Sequence, residues 1–307
     1  MRTIIVGVDE SPGSSDAIAL ASSLAGMTSS ELVLVNVFPY DLHPSRAANR
    51  AFEEYLRGDS QDLLERLRSS LGDAPVEVRA IPNVSPAHGL HELAEMENAG
   101  LVVVGSTHTG RAGRVLPGST AERLLHGSPC PVAVAPKGYA QRSCDELALI
   151  GWGYEASLSA AHALETAHRV ATATGAHLRV IRAFAPLAYE TPPGSAAIGG
   201  MASYNDTLHE RATRELESAI ATIDAERGVE AEFTVGDPGQ ILAEASQQLD
   251  LLVVGSRGYG PMHAVMVGGV AGRLVREAAC PVIVVPRGAG HTEADSLFAK
   301  PAVATHA

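Results

Sequence analysis

Residues 101–106 have the sequence LVVVGS, and residues 251–256 have the sequence LLVVGS. Each is a short, continuous apolar run that stops at a glycine, as expected of a strand buried on both faces of a parallel sheet. A second pair lies at the same separation of 150 residues, because Cys130-Pro-Val corresponds to Cys280-Pro-Val. Such self-similarity at a fixed separation indicates two copies of one domain.

The repeat extends toward the beginning of each copy. IIVGVDESPGSSDAIALA at residues 4–21 aligns with ALIGWGYEASLSAAHALE at residues 148–165, at a separation of 144 that places Gly7 over Gly151. The shorter separation predicts a loop of different length in the two copies. We predict domains at residues 1–140 and 145–288, followed at residues 289–307 by a mobile tail without sustained periodicity.

Each copy alternates apolar strands with amphipathic helices. Ala17, Leu20, Ala21 and Leu24 have helical spacing after the first strand. Alternation of this kind predicts an α/β fold with two tandem, doubly wound, parallel five-stranded sheets. The strands are predicted at residues 3–8, 32–38, 76–81, 101–104 and 132–134, and again at residues 147–152, 178–184, 230–235, 251–254 and 282–285.

Composition excludes several classes of function. The 307 residues are 46% hydrophobic and 19% charged, as in an ordinary globular protein. A net charge of −12 argues against nucleic acid and against an anionic membrane as partners. Three cysteines without CxxC spacing support neither a disulfide framework nor a zinc site. With no apolar stretch of about 18 residues, a cytoplasmic location is predicted.

The turn after the fourth strand is glycine-rich in both copies. It has the sequence GSTHTGRAGRVLPGST at residues 105–120 and GSRGYGPMHAVMVGGV at residues 255–270, and a helix pattern follows each. Ligands of open α/β sheets bind beyond the carboxyl ends of the strands, and glycine before a helix N-terminus suits a phosphate chain. Turn geometry alone would also explain the glycines. Neither a P-loop nor a GxGxxG motif is present.

The spacing of these glycines carries a family resemblance. Gly255-x2-Gly258-x9-Gly268, the opening VGVDES and the endings SPCPVAV and AACPVIV resemble the universal stress protein family. The resemblance covers nearly the whole chain and is to a tandem member. It implies strand order 3-2-1-4-5 in a fold of the adenine nucleotide alpha hydrolase-like type. It also implies ATP, ADP or AMP in a subset of members, with Mg²⁺ able to accompany ATP, and stress-linked regulation.

By this resemblance, the first copy holds a nucleotide as follows. Asp9 would contact the adenosine moiety, and Val37 would form an apolar wall for adenine, with Val8 beside it. His108 replaces the second glycine of the loop, where a side chain costs free energy if the backbone must adopt a positive φ. The phosphates would lie against Gly105, Gly118, Ser119 and Thr120.

The second copy departs from the pattern in another way. Under the alignment above, Gly153 stands where Asp9 stands, so the anchor for adenosine is predicted to be lost. Ala183, near the end of the second strand of this copy, is the predicted counterpart of Val37. The phosphate loop itself is retained and is followed by Gly269 in place of a hydroxyl residue. Its predicted phosphate-binding residues are Gly255, Arg257, Gly258, Gly268, Gly269 and Val270.

Other chemistry is less well supported. His88-x2-His91 has the spacing of metal ligands, but no cysteine or carboxylate cluster accompanies it, which favours a solvated helix face. Asp9 and Ser11 lack the GxSxG turn of a serine hydrolase. Arg111 and Arg114 are equally compatible with phosphate binding and with solvated loop charges.

Three functions are therefore carried forward. The first is an adenine-nucleotide-binding regulator that signals to a protein partner in response to stress. The others are a very slow ATPase and a nucleotide-free interaction module of the same fold. In the family the fifth strands pair across an edge, so residues 132–134 and 282–285 are predicted to join the two lobes. Whether two chains form a homodimer is left open.

Overall fold

The computed structural model describes residues 3–40, 50–107, 114–115, 117–142, 146–154, 158–184, 197–221, 229–256 and 269–286. We call residues 3–142 the first lobe and residues 146–286 the second lobe. The predicted tail at residues 289–307 lies outside the described residues.

Strands and helices alternate through the first lobe, which ends in a short 3-10 turn at Tyr139–Gln141. All five predicted strands are confirmed. The elements are β1 (Thr3–Gly7), α1 (Gly13–Thr28), β2 (Glu31–Phe38), α2 (Arg50–Ser69), β3 (Val76–Pro82), α3 (Pro86–Met96), β4 (Leu101–Gly105), α4 (Ser119–Gly127) and β5 (Val132–Ala135).

The second lobe repeats this order. Its five predicted strands are also confirmed, although the first begins two residues later than expected, at Leu149. The elements are β6 (Leu149–Tyr154), α5 (Leu158–Thr174), β7 (His177–Phe184), α6 (Ala197–Ala221), β8 (Val229–Val235), α7 (Pro238–Ala245), β9 (Leu251–Gly255), α8 (Gly269–Glu277) and β10 (Val282–Val285).

The ten strands form one sheet in the order β3-β2-β1-β4-β5-β10-β9-β6-β7-β8. Within each lobe the pairs are parallel and follow the predicted order 3-2-1-4-5. The lobes meet where β5 and β10 pair antiparallel, with Ala133 opposite Ile283. The predicted junction through the fifth strands is therefore confirmed, and each lobe covers the edge strand of the other.

Both faces of the sheet are buried. Ile4 and Val6 belong to the core under α1, whereas Ile5, between them, belongs to the core under α3 and α4. Successive side chains of a strand point to opposite faces, so a strand covered on both sides must be apolar at every position. Each core cluster contains residues of both lobes, such as Ile4 and Ile150 in the first. The prediction of a doubly wound architecture is confirmed.

The sheet corrects the alignment of the two copies. Ile4 pairs with Leu101, and Ile150 pairs with Leu251, so the first strands are separated by 146 residues and not by 144. A Cβ on Gly7 would lie 2.7 Å from a Leu90 methyl carbon, whereas one on Gly153 would lie 3.0 Å from the corresponding carbon of Leu242. Gly153 thus takes the place of Gly7 and not that of Asp9.

The end of the first lobe is fastened to α1. The Asp16 side chain, which is 3% exposed, accepts hydrogen bonds from the amides of Gly138 and Ala140, each at 2.8 Å. A buried carboxylate is tolerated only where hydrogen bonds compensate for its lost hydration. These bonds fix the chain at the point where it leaves the first lobe.

No helix among the described residues has the length and apolar character needed to span a membrane. No group of three or more His, Cys, Asp or Glu side chains within the same ranges is arranged to hold a metal ion.

Candidate functional site

A cavity of about 290 Å³ lies at the carboxyl ends of β1, β2 and β4 in the first lobe. Parallel sheets place ligands at this edge, where neighbouring strands lead to helices on opposite faces. The N-termini of α1, α3 and α4 also border it, through Gly13, Pro86 and Ser119.

Seven of the eight site residues predicted for the first lobe line this cavity. Residues that were not predicted also line it, among them Asn36, Leu90 and Ser106. His108, the eighth, lies outside the described residues. The seven are Val8, Asp9, Val37, Gly105, Gly118, Ser119 and Thr120.

Asp9 is held in position at the end of β1 by the start of α1. Its Oδ1 accepts hydrogen bonds from the Ser11 amide at 2.9 Å and from the Ser11 hydroxyl at 2.5 Å. Its own amide donates to the Ser14 hydroxyl oxygen at 2.8 Å. Bonds from an aspartate to the backbone two residues on form an Asx turn, which fixes the carboxylate at the mouth of the cavity.

Asn36 is the polar position within the otherwise apolar strand β2. Its amide nitrogen donates to the Val8 carbonyl oxygen at 2.7 Å, and its carbonyl oxygen accepts from the Ser60 hydroxyl at 2.7 Å. Because Ser60 is buried on α2, these bonds tie the ends of β1 and β2 to that helix. The polar break in the sequence LVLVNVF was the signal that could have found Asn36.

The N-terminus of α4 offers backbone donors to the cavity. Gly118 occupies the N-cap position without a side-chain cap, and Ser119, Thr120 and Ala121 form the first turn. First-turn amides have no carbonyl partner within a helix, and the positive end of the helix dipole adds to their attraction for anions. Glycine at the N-cap leaves this end open to a phosphate group.

Gly105 has a packing role that the sequence did not reveal. A Cβ at this position would lie 2.1 Å from the carbonyl oxygen of Gly13, and one at Gly13 would lie 2.5 Å from the carbonyl oxygen of Ser106. Two backbones, the end of β4 and the start of α1, approach too closely for side chains at either position. The requirement for glycine at 105 therefore follows from contact between these segments, whatever the cavity binds.

In the second lobe, the phosphate loop cannot be placed in the same way. Arg257, Gly258 and Gly268 lie outside the described residues. Gly255 ends β9, and α8 begins at Gly269 and Val270. These ends match β4 and α4 at the predicted separation of 150 residues.

The corrected alignment restores an acidic residue to the second lobe. With a separation of 146, Asp9 corresponds to Glu155, which follows β6 directly in the sequence, and Val37 corresponds to Ala183. The prediction that Gly153 occupies the position of Asp9 was therefore wrong.

A guanidinium group replaces the Asn36 amide in the second lobe. Arg182 occupies the position of Asn36, and its Nη1 donates to the Tyr154 carbonyl oxygen at 3.3 Å, as Asn36 does to Val8. The guanidinium carbon lies 5.2 Å from the centre of the Tyr154 ring. Burial raises the pKa of the Tyr154 hydroxyl, and the nearby Arg182 charge partly offsets this effect. The two lobes thus differ in charge at equivalent positions.

The remaining predicted candidates have structural partners. His88 and His91 lie on the outer face of α3, within 3.2 Å of Glu92 and 3.7 Å of Glu95 respectively, which agrees with the predicted helix face. The Arg114 guanidinium donates to the Glu277 carbonyl oxygen at 2.6 Å, in the other lobe. Arg111 lies outside the described residues.

Comparisons with known proteins agree with this architecture. The model of the universal stress protein family matches residues 1–136 and, a second time, residues 150–286. Universal stress protein Rv2319c of Mycobacterium tuberculosis is 29% identical over 296 residues, which cover 92% of this chain and 99% of that protein. Universal stress protein MJ0531 of Methanocaldococcus jannaschii is 28% identical over 140 residues, 44% of this chain and 82% of that protein.

Solved structures share the fold across both lobes. A universal stress protein from Archaeoglobus fulgidus aligns with a TM-score of 0.63 at 18% identity, covering 93% of this chain and 98% of that one. Together with the doubled family match, this confirms the resemblance seen in the sequence. The chain belongs to the universal stress protein family and contains two copies of its domain.

Proposed function

We propose that this chain binds an adenine nucleotide in the first-lobe cavity and acts as a stress-responsive regulator. One observation carries the proposal: the cavity brings a carboxylate, apolar walls and an uncapped helix N-terminus to a single place. ATP, ADP and AMP all have a hydroxyl-bearing sugar, a planar aromatic base whose faces can pack on apolar side chains, and an anionic end. Occupancy would then alter a surface that a protein partner recognises.

Each part of the nucleotide has a counterpart in the cavity. The Asp9 carboxylate can accept hydrogen bonds from ribose hydroxyls, while Val37 and Leu90 present apolar surface to the base. Phosphate oxygens would accept from the amides at the start of α4. The hydroxyl groups of Ser119 and Thr120 are oxygen ligands of the type that Mg²⁺ accepts, so Mg²⁺ bound to ATP also fits.

The second lobe is proposed to bind a nucleotide independently. Glu155 would supply the carboxylate, and α8 begins where α4 begins in the first lobe. Arg182 adds a positive charge that the first lobe lacks at the corresponding position. The residues proposed to contact phosphate there, Gly258 and Gly268, stay predictions.

A calorimetric titration of the full chain with ATP and Mg²⁺ tests the proposal. Asp9→Asn keeps the Oδ1 acceptor for Ser11 and removes the charge, so it should weaken first-lobe binding about tenfold or more. Glu31→Gln is the matched control, because Glu31 is an exposed carboxylate at the start of β2 and does not line the cavity. Its affinity should equal that of the unmodified chain.

Two outcomes would redirect the proposal. If the unmodified chain binds no adenine nucleotide at millimolar concentration, the nucleotide-free interaction module becomes the better account. If ATP binds, phosphate release compared with a Gly118→Glu variant distinguishes a passive binder from a slow ATPase. The cytoplasmic location, the homodimer and the boundaries at residues 140 and 145 stay predictions.

A further inference from the structure

The C-terminal end of α8, in the second lobe, is capped by the first lobe. The Arg114 guanidinium donates to the carbonyl oxygen of Glu277 at 2.6 Å, and the Val115 amide donates to that of Ala278 at 2.8 Å. The last carbonyl groups of a helix have no partner within it and carry partial negative charge. A cation and an amide at this end therefore satisfy groups that would otherwise depend on solvent.

The two donors belong to the segment that leads into the first-lobe cavity. Val115 has 0% exposure and lies three residues before Gly118, the N-cap of α4. The Arg114 carbonyl oxygen accepts from the Lys137 amide at 3.1 Å, and Pro117 forms a bridge with Ser106 at the end of β4. Arg114, Val115 and Pro117, which precede the start of α4, are thus each held by a contact outside their own segment.

The second lobe has no arginine at the position that corresponds to Arg114. The loops at 105–119 and 255–269 have equal length, so Arg114 corresponds to Ala264. The alanine side chain has no group that could donate to a helix end. The two lobes therefore differ in what they supply to each other.

We propose that Arg114 is a positioning residue of the first-lobe nucleotide site. By binding the end of α8, it holds Arg114 and Val115, and with them the start of α4, so that the amides of the first turn of that helix face the cavity. The first-lobe site is then complete only in the presence of the second lobe. The inference rests on the proposed function, because the site it positions is the proposed nucleotide site.

The full chain provides a matched control for this contact. Arg142 donates to the Ala279 carbonyl oxygen at 3.1 Å, two residues after the end of α8, but it lies outside the segment that leads to the cavity. Arg114→Gln and Arg142→Gln each remove one guanidinium that binds the second lobe at residues 277–279. Only the former removes an attachment of the cavity loop.

ATP titration of these variants gives the first measurement. Because the Arg114 contact is exposed, we expect Arg114→Gln to weaken first-lobe affinity by about threefold to tenfold. Arg142→Gln should stay within about twofold of the unmodified chain. Arg114→Lys retains a cation that can reach one carbonyl, so it should restore most of the affinity. Equal losses in Arg114→Gln and Arg142→Gln would overturn the proposal.

Amide hydrogen exchange without nucleotide gives a second measurement that does not depend on binding. Arg114→Gln should speed exchange at Val115 and at residues 119–121 more than Arg142→Gln does. If the unmodified chain binds no ATP, the proposed function fails while this difference still tests the attachment. Unchanged exchange at Val115 in Arg114→Gln would show that the guanidinium does not hold the segment.

Discussion

Substitution of Gly105 by alanine decides between packing and ligand binding as the reason for glycine at this position. The added Cβ would lie 2.1 Å from the Gly13 carbonyl oxygen and 2.5 Å from its carbonyl carbon. Both obstacles are backbone atoms at the start of α1, so the end of β4 must move away from that helix. Overpacking typically costs about 1–3 kcal/mol, and we expect about 3 kcal/mol here because no flexible side chain can yield.

Thermal unfolding followed by circular dichroism measures this cost. At about 2–4 °C per kcal/mol for a unit of 150–250 residues, Gly105→Ala should lower the midpoint by about 6–12 °C. Gly127→Ala is the control, because a Cβ at the end of α4 meets nothing within 4 Å. Alanine is favoured over glycine in a helix by about 0.5–1 kcal/mol, so this variant should match or exceed the unmodified chain.

A third variant, Gly118→Ala, shows how much stability is lost when a glycine of the cavity is replaced without a backbone clash. At Gly118 the nearest atom to an added Cβ is a Thr107 methyl carbon at 3.2 Å, and the backbone φ of −79° is accessible to alanine. Gly118→Ala should therefore cost less than about 1 kcal/mol. If Gly105→Ala unfolds within 1 °C of the unmodified chain but binds ATP more weakly, the packing explanation is refuted and the ligand explanation stands.

Three further predictions concern other parts of the molecule. Asp16→Ala should lower the free energy of unfolding by about 2–4 kcal/mol, measured by urea denaturation, because two amides lose their buried acceptor. In a Cys144→Ser background, Cys130 and Cys280 should resist a thiol reagent at pH 8 until the chain unfolds. Burial raises the pKa of Cys130 to about 12 and also that of Cys280, so the reactive thiolate is scarce; rapid labelling of the folded chain would contradict this. Glu155→Gln should reduce the number of ATP molecules bound per chain if the corrected alignment places the second anchor, and an unchanged stoichiometry and affinity would count against it.

Much of the fold could be predicted because fully buried strands are continuous apolar runs. The sequences LVVVGS and LLVVGS predict β4 and β9 without any knowledge of contacts with distant segments. The pairing of β5 with β10 followed from the family resemblance, since nothing in two four-residue strands specifies their antiparallel partner. The local pattern of apolar residues thus predicts where the strands lie, and the family resemblance predicts the order of the strands in the sheet.

The alignment of the copies failed for a specific reason. The sequence GWG offers two glycines, Gly151 and Gly153, and either can be placed over Gly7. The contact with Leu242 on α7 selects Gly153, but that contact joins segments far apart in the chain. Sequence periodicity gives no information about a spatial contact between distant segments, so it could not choose between the two glycines.

The candidate site was predicted where its residues belong to the family motif. Asp9 and Gly118 were found from their places in the motif, and both line the cavity. Asn36 was missed because its hydrogen bonds reach Val8 and Ser60, which lie on other segments of the chain. The contact of Gly105 with Gly13 was missed for the same reason, since it joins the end of β4 to the start of α1. Backbone approaches of this kind become visible only once the elements have packed.

The central claim is that the first-lobe cavity holds an adenine nucleotide through Asp9. Its most direct test is to denature the purified chain and identify the released small molecules by mass spectrometry, for the unmodified chain and for Asp9→Ala. The account predicts ATP, ADP or AMP from the unmodified chain and a smaller amount per chain from the variant. An unmodified chain that releases no adenine nucleotide, even after incubation with millimolar ATP and removal of the excess, would contradict it.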